Sequence, residues 1–232
     1  MLQEKIEPVW LAAFESVLRR CAVQPGDTVA VLAESQSRPV LVELAQLAAA
    51  RLGARHYTLT LPTPSATAAP PVRSTGASHA LQGIAPAVAA LAGSTLVVDC
   101  TVEGLMHAPE LPAILKGGAR VVYVSNEHPE ALARLAPSED GSLEPRVKDH
   151  VKRLRAARRM RVTSPAGTDL TISLEGAVVG GNWGYTTRPG TMTHWPGGLA
   201  LAFPAAGTVN GRLVLAEGDD NLTFKRSLVR TE

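Results

Sequence analysis

Histidine 194 lies in a glycine- and aromatic-rich stretch, Gly190-Thr-Met-Thr-His-Trp-Pro-Gly-Gly198. A shorter stretch of the same kind, Gly180-Gly-Asn-Trp-Gly-Tyr185, precedes it. Glycine permits close approach of the backbone, while Trp and Tyr offer flat faces with a polar handle. The composition therefore predicts a site for a small aromatic ligand, with Trp183, Tyr185 and Trp195 as substrate-binding residues. The alternative is a loop stabilised by aromatic stacking.

A second candidate, His107, follows Thr101–Met106, directly after a predicted strand at Thr95–Cys100. Ligands of open α/β sheets bind beyond the carboxyl ends of the strands, so this position favours a functional His107, with Met106 beside it predicted to be a substrate-binding residue. A helix-capping or surface histidine is the alternative. The remaining histidines form no H-x-H or H-x-x-x-H pair, so spacing predicts no metal site.

The elements that must position these residues follow from the apolar periodicity. Short apolar runs alternate with helical patterns through the first part of the chain, which is typical of parallel βαβ units. Strands are predicted at Asp27–Ala33, His56–Leu61, Thr95–Cys100 and Arg120–Ser125, and helices near Trp10–Cys21, Pro39–Leu52, Ile84–Ala92, Pro109–Lys116 and Leu143–Arg159. Pro62–Ser78 is predicted to be a long loop.

The apolar period changes to two after the last of these helices. Arg161–Thr163 and Asp169–Leu174 flank Pro165-Ala-Gly167, which indicates a hairpin, and Leu199–Phe203 and Gly211–Leu215 add further strands. The fold class is therefore α/β: a Rossmann-like open parallel sheet followed by a smaller β-rich, mostly antiparallel unit. The predicted domains are 1–159 and 160–232, and we expect the second to be incomplete.

Composition and missing motifs exclude several functions. The loop after the first strand, Leu32–Arg38, has no glycine, which argues against NAD or FAD, and no phosphate-binding GxxxxGK[ST] or GxSxG motif occurs. Lys and Arg are frequent in 146–161, but no aromatic residue is interleaved, which favours a solvated helix face over a nucleic-acid or phosphate surface. The formal net charge is +2, and no signal peptide or membrane span is recognisable. We therefore expect a cytoplasmic protein with no nucleic-acid or membrane partner, in which Cys21 and Cys100 are reduced.

The same segments resemble a known family. Arg161–Thr171, Thr193-His-Trp-Pro-Gly-Gly198 and Gly207-Thr-Val-Asn-Gly211, with Phe203-Pro204 and Gly218-Asp219, are similar to the 2,5-dihydroxypyridine 5,6-dioxygenase family, a relative of the thermophilic leucyl aminopeptidases. The resemblance implies ring opening of 2,5-dihydroxypyridine with O2 in nicotinate degradation, at a mononuclear Fe(II) centre. It also implies that His107 and His194 are catalytic residues that bind the dihydroxypyridine and handle its protons, a role that suits an imidazole.

The metal site departs from this resemblance. The family's iron ligands, two His and a carboxylate, are expected in a further C-terminal portion beyond Glu232, so no metal ligand is predicted here and the chain is expected to be the N-terminal part of the enzyme. Two alternatives stay open: a metal-dependent aminopeptidase, or a truncated protein without catalysis. The expected partners are a small aromatic substrate, O2 and further copies of this chain in a homo-oligomer.

Overall fold

The computed structural model of the 232-residue chain describes residues 5–64, 77–136 and 141–216. In chain order the elements are α1 (Pro8–Arg20), β1 (Thr28–Glu34), α2 (Pro39–Arg51), β2 (Arg55–Leu61), α3 (Ala85–Ala92), β3 (Leu96–Asp99), α4 (Leu111–Lys116), β4 (Arg120–Val124), α5 (Pro129–Arg134), α6 (Leu143–Ala156), β5 (Arg159–Thr163), β6 (Asp169–Ser173), β7 (Val178–Asn182), β8 (Met192–Trp195), β9 (Leu199–Phe203) and β10 (Val209–Arg212).

These elements form two compact units. The described residues of Met1–Gly141 and Trp183–Gly197 make up the first unit, and those of Ser142–Asn182 and Gly198–Glu232 the second. The glycine- and aromatic-rich stretch with His194 thus belongs to the first unit, although it follows most of the second in sequence. The predicted domain limits, 1–159 and 160–232, stay a prediction that limited proteolysis would test.

The first unit is built on a five-stranded parallel sheet in the order β2-β1-β3-β4-β8. Apolar residues of β1, β3 and β4 point alternately to its two faces, and helices cover both. One core cluster joins the sheet to α1, α2 and α5, and the other joins it to α3 and α4. Since helices cover both faces of the sheet, side chains on both faces of the central strands are buried away from water. The central strands are therefore almost continuously hydrophobic.

The second unit is mostly antiparallel. β10, β6 and β5 form a three-stranded sheet, and β7 pairs with β9. The predicted hairpin at Pro165–Gly167 is present between β5 and β6, with Gly167 at a φ of +103°. Val147 and Val151 of α6 pack onto Gly181, where a Cβ would lie 2.7 Å from each valine. At position 181, therefore, no side chain larger than hydrogen fits against this helix without displacing the valines.

The predicted fold class is therefore confirmed: a Rossmann-like open parallel sheet with a smaller, mostly antiparallel unit. Most of the predicted elements lie within a few residues of the observed ones, while most of the predicted loop Pro62–Ser78 falls outside the described residues. The strand β8 and its place in the parallel sheet were not predicted from the sequence. In the described parts of the chain, no helix is long and apolar enough to cross a membrane.

Candidate active site

The loop that carries His107 is built around the carboxylate of Asp99. This residue ends β3, and its side chain is fully buried. Its Oδ1 accepts hydrogen bonds from the backbone N–H of Thr101 at 3.0 Å and from Oγ1 of Thr101 at 2.6 Å. Its Oδ2 accepts from the N–H of Leu105 at 2.8 Å. Three donors thus fold residues 101–105 into a compact turn at the carboxyl end of β3 and leave His107 exposed directly after it.

A second buried carboxylate holds the same loop. Glu34 ends the neighbouring strand β1, is 3% exposed, and accepts a hydrogen bond from the N–H of Val102. Its own N–H donates to Oγ of Ser37 at 2.8 Å. Two adjacent strands, β1 and β3, therefore each end in a carboxylate that accepts hydrogen bonds from the backbone of the same loop. These bonds hold the loop at the carboxyl ends of the strands.

Burial of the Asp99 carboxyl changes its acidity. Desolvation, the largest cause, raises the pKa of Asp99 to about 6, and the charge of Glu34 adds to the increase. The hydrogen bonds from Thr101 and Leu105 oppose it. Asp99 therefore takes up its proton at a higher pH in the folded protein than in the unfolded chain.

This shift predicts how stability depends on pH. The folded pKa lies above the unfolded value of 3.8, so the folded state holds the proton more tightly, and stability falls as the pH rises from about 4 to about 6. The loss from this group is about 3 kcal/mol at most. Denaturant titrations at several pH values should show it in the wild type and not in Asp99→Asn.

Glu43→Gln is the matched control, because it removes an exposed carboxylate of the same unit. It should keep the wild-type dependence between pH 4 and 6. An equal slope in Asp99→Asn and the wild type would show that Asp99 is not the group that titrates in this range.

His194 lies on β8, the edge strand of the parallel sheet. In the register of β4 and β8 its partner is Tyr123, and the two rings are stacked with their centroids 6.1 Å apart and an interplanar angle of 20°. Side chains alternate along a strand, so His194 shares a face with Met192, which packs against the α3–α4 cluster. Partial burial lowers the pKa of His194. Its imidazole is therefore neutral at neutral pH and can accept a proton.

Tyr123 also contacts the loop that leads to His107. Its hydroxyl donates a hydrogen bond to the carbonyl oxygen of Val102 at 3.1 Å. Its ring lies against Gly104, where a Cβ would be 2.9 Å from Cδ2 and Cε2 of the tyrosine. The loop preceding His107 and the strand carrying His194 thus meet at one side chain.

The close approach of Tyr123 predicts the effect of a methyl group at Gly104. Gly104 has a φ of +76°, and Gly83 a φ of +75° with nothing within 4 Å of a built Cβ. Alanine at either position has the same backbone strain, of about 1–2 kcal/mol. Gly104→Ala adds overpacking against the Tyr123 ring, so we expect it to cost about 1–3 kcal/mol more than Gly83→Ala in denaturant unfolding. Equal losses in the two variants would mean that the ring moves away without cost.

The predicted aromatic residues do not all lie beside His194. Trp195 is fully buried, and its ring packs edge-to-face on Phe14 of α1 with centroids 4.9 Å apart. Tyr185 packs against the same core cluster, the one that joins the sheet to α1, α2 and α5 and is called the α1-side core below. The guanidinium of Arg20 lies 5.3 Å from the centroid of its ring. Because Trp195 has no surface open to a ligand, we leave it out of the proposed substrate contacts. Tyr185 packs on the α1 side, away from the face of His194.

Two of the predicted residues keep surface that a ligand could reach. Met106 is 42% exposed next to His107, and Trp183 is half-buried. The backbone at Trp183–Gly184 lies directly against Gly197, where a Cβ would be 2.1 Å from the carbonyl carbon of Trp183. The backbones at the two ends of the segment from Trp183 to Gly197 are therefore in direct contact.

The described residues do not fit a metal centre. Among residues 5–64, 77–136 and 141–216, no group of three or more His, Cys, Asp or Glu side chains could hold an ion. The two buried carboxylates at the strand ends, Asp99 and Glu34, accept hydrogen bonds from the loop instead. No chemical step is therefore assigned to a metal at this site.

Three residues of this site were not among those predicted from the sequence: Glu34, Asp99 and Tyr123. Each of the carboxylates ends an apolar strand, and a charged residue at that position is a recognisable signal in an open α/β sheet. Tyr123 lies inside the run Arg120–Val124 and gives no such signal, since its role depends on the pairing of β4 with β8.

An open parallel sheet whose strand ends hold a loop and an imidazole defines an α/β protein with a candidate small-molecule site at the carboxyl edge of the sheet. The comparisons with known proteins agree with this class. The sequence model described as 2,5-dihydroxypyridine 5,6-dioxygenase matches residues 9–231, and the chain belongs to this family. The resemblance inferred from the sequence is confirmed.

Two relatives carry the same description. A 2,5-dihydroxypyridine 5,6-dioxygenase of Pseudomonas putida KT2440 is 38% identical over 215 residues, which are 91% of this chain and 60% of that protein. The solved structure of the 2,5-dihydroxypyridine dioxygenase from this organism superposes with a TM-score of 0.76 at 36% identity, covering 87% of this chain and 57% of that one. The chain thus spans less than two thirds of the length of these relatives.

Proposed function

We propose that the chain acts in the ring-opening dioxygenation of 2,5-dihydroxypyridine. Its family and the 38% identical Pseudomonas putida relative support this substrate. The observation that carries the proposal is the imidazole of His194, which burial keeps neutral and which lies on Tyr123, the residue that also holds the His107 loop. A neutral imidazole at the edge of such a site is suited to accept the proton of a hydroxylated ring.

The roles of the other residues follow from their exposure. His107 lies at the surface of its loop and is proposed to bind a ring hydroxyl and exchange its proton. Met106 and Trp183 are proposed to contact the flat faces of the ring, since both keep exposed surface. In the overall reaction both atoms of O2 enter the ring-opened product, N-formylmaleamate, and no other oxidant is consumed.

Fe(II) enters the proposal through the family resemblance alone. Bound iron would supply activation of O2. The described residues of this chain offer no ligand group for it, so the proposal assigns to them only the binding of the substrate and the handling of its protons. Binding without turnover is the second candidate, favoured by the same lack of ligands within the described ranges.

Anaerobic loading of the chain with Fe(II), followed by O2, tests the proposal. In preparations that retain iron we expect loss of 2,5-dihydroxypyridine absorbance with stoichiometric O2 uptake, while a leucine anilide is not hydrolysed. Calorimetry without O2 measures binding separately. Binding without O2 uptake would support the second candidate, and hydrolysis of the anilide would support an aminopeptidase. The absence of both binding and O2 uptake would contradict the proposal. Light scattering and cell fractionation test the homo-oligomer and the cytoplasmic location, which we also propose.

A further inference from the structure

We propose that Tyr123 is a positioning residue that sets the spacing between the His107 loop and the imidazole of His194. The contacts of Tyr123 stand independently of the reaction, and the effect on catalysis rests on the proposed function. One side chain on β4 contacts both the loop that leads to one candidate catalytic histidine and the ring of the other.

The peptide groups of Val102 are held from two strands. The N–H of Val102 donates to Glu34 at the end of β1, and its carbonyl accepts from the hydroxyl of Tyr123 on β4. Asp99, on the strand between them, binds the donors of Thr101 and Leu105. Three neighbouring strands therefore fix the loop, and Tyr123 is the fixing residue on the side of β8.

The hydroxyl of Tyr123 is held in its protonated form. Burial raises the pKa of Tyr123, and the charges of Asp99 and Glu103 raise it further. The hydroxyl therefore keeps its proton throughout the neutral range and remains a donor to Val102. A tyrosine that stays neutral does not compete with His194 for the substrate's proton.

The ring and the hydroxyl of Tyr123 make separate contacts. The ring stacks on His194 and lies against Gly104, while the hydroxyl alone binds Val102. Removal of the hydroxyl frees the loop from β4 alone and leaves the histidine stacked, whereas removal of the ring removes the contacts with both. Two substitutions can therefore separate the two functions.

The experiment compares Tyr123→Phe and Tyr123→Leu by NMR of histidine ring resonances in the full chain. We expect Tyr123→Phe to move the signals of His107 and of the amides of 102–107 while His194 stays close to its wild-type position. Tyr123→Leu should move the signals of both histidines. Tyr57→Phe is the matched control, because it removes a hydroxyl that donates to the Ala90 carbonyl at 2.7 Å in the same unit. It should leave both histidines unchanged.

The proposal is overturned if Tyr123→Phe moves the His107 signals no more than Tyr57→Phe does, or if Tyr123→Leu leaves the His194 signals in place. These readouts need no turnover, so they hold even if the wild type does not open the pyridine ring and the proposed function fails. If the wild type is active, Tyr123→Leu should lower kcat by about 10²-fold with a smaller change in KM, as misplaced catalytic groups do. A change confined to KM would contradict a positioning role.

Discussion

His194→Gln is expected to lower the proposed turnover of 2,5-dihydroxypyridine, in a preparation that is active, by about 10²- to 10⁴-fold, the range that one acid–base group contributes to catalysis. Glutamine keeps a polar side chain of similar reach but cannot take up a proton. The backbone of β8 stays paired with β4, so the loss should be in kcat at neutral pH, measured by O2 uptake under the proposed assay. The wild type should also lose activity at acidic pH, since the imidazole whose pKa is lowered by burial must be neutral to act as a base.

His56→Gln is the matched control, because His56 is an exposed histidine on β2, at the opposite edge of the sheet. It should keep the wild-type rate. If His194→Gln retains full turnover in an active preparation, His194 is not the proton acceptor, and the neutral imidazole has only a packing role against Tyr123.

Trp195→Ala is expected to destabilise the protein by about 3–5 kcal/mol, the usual cost of truncating a buried aromatic residue. Trp195 is one of the largest fully buried side chains among the described residues and packs against Phe14. Its Nε1 donates to the carbonyl oxygen of Leu135 at 3.3 Å, so the substitution removes both packing and a hydrogen bond. Denaturant unfolding followed by far-UV circular dichroism measures the loss without relying on tryptophan fluorescence.

Trp183→Ala provides the comparison, since Trp183 lies in the same stretch and is only half-buried. It should cost less than Trp195→Ala. A similar cost for the two variants would indicate that Trp195 is not a main contributor to the α1-side core and that the cavity left by its removal collapses.

The alternation of strands and helices in the first unit could be predicted because each element carries its own signal. β1 is a short apolar run, and α2 is closely followed by Gly53, whose positive φ of +74° is typical of the residue that follows a helix C-terminus. β8 could not be predicted in this way. Its four residues, Met-Thr-His-Trp, lie among glycines, and they become a strand by pairing with β4, about seventy residues earlier in the chain.

The candidate site shows the same limit. The sequence pointed to His107 and His194 through their neighbours, but it gave Trp195 the same expected role as Trp183. Along β8, adjacent side chains face opposite sides of the sheet, so His194 and Trp195 separate into a candidate site and a core. Without the strand assignment, that separation is not visible in the local composition.

The pairing of β8 with β4 also bears on the order in which the protein can fold during its synthesis. A chain emerging from the ribosome has β1 to β4 available early, but β4 has no outer partner until residues 192–195 have been made. During that interval the backbone edge of β4 and the core surface that Trp195 later covers are exposed, and an uncovered strand edge pairs readily with other chains. Translation through the intervening segment, 125–191, therefore sets the time for which the edge of the nascent sheet stays unpaired.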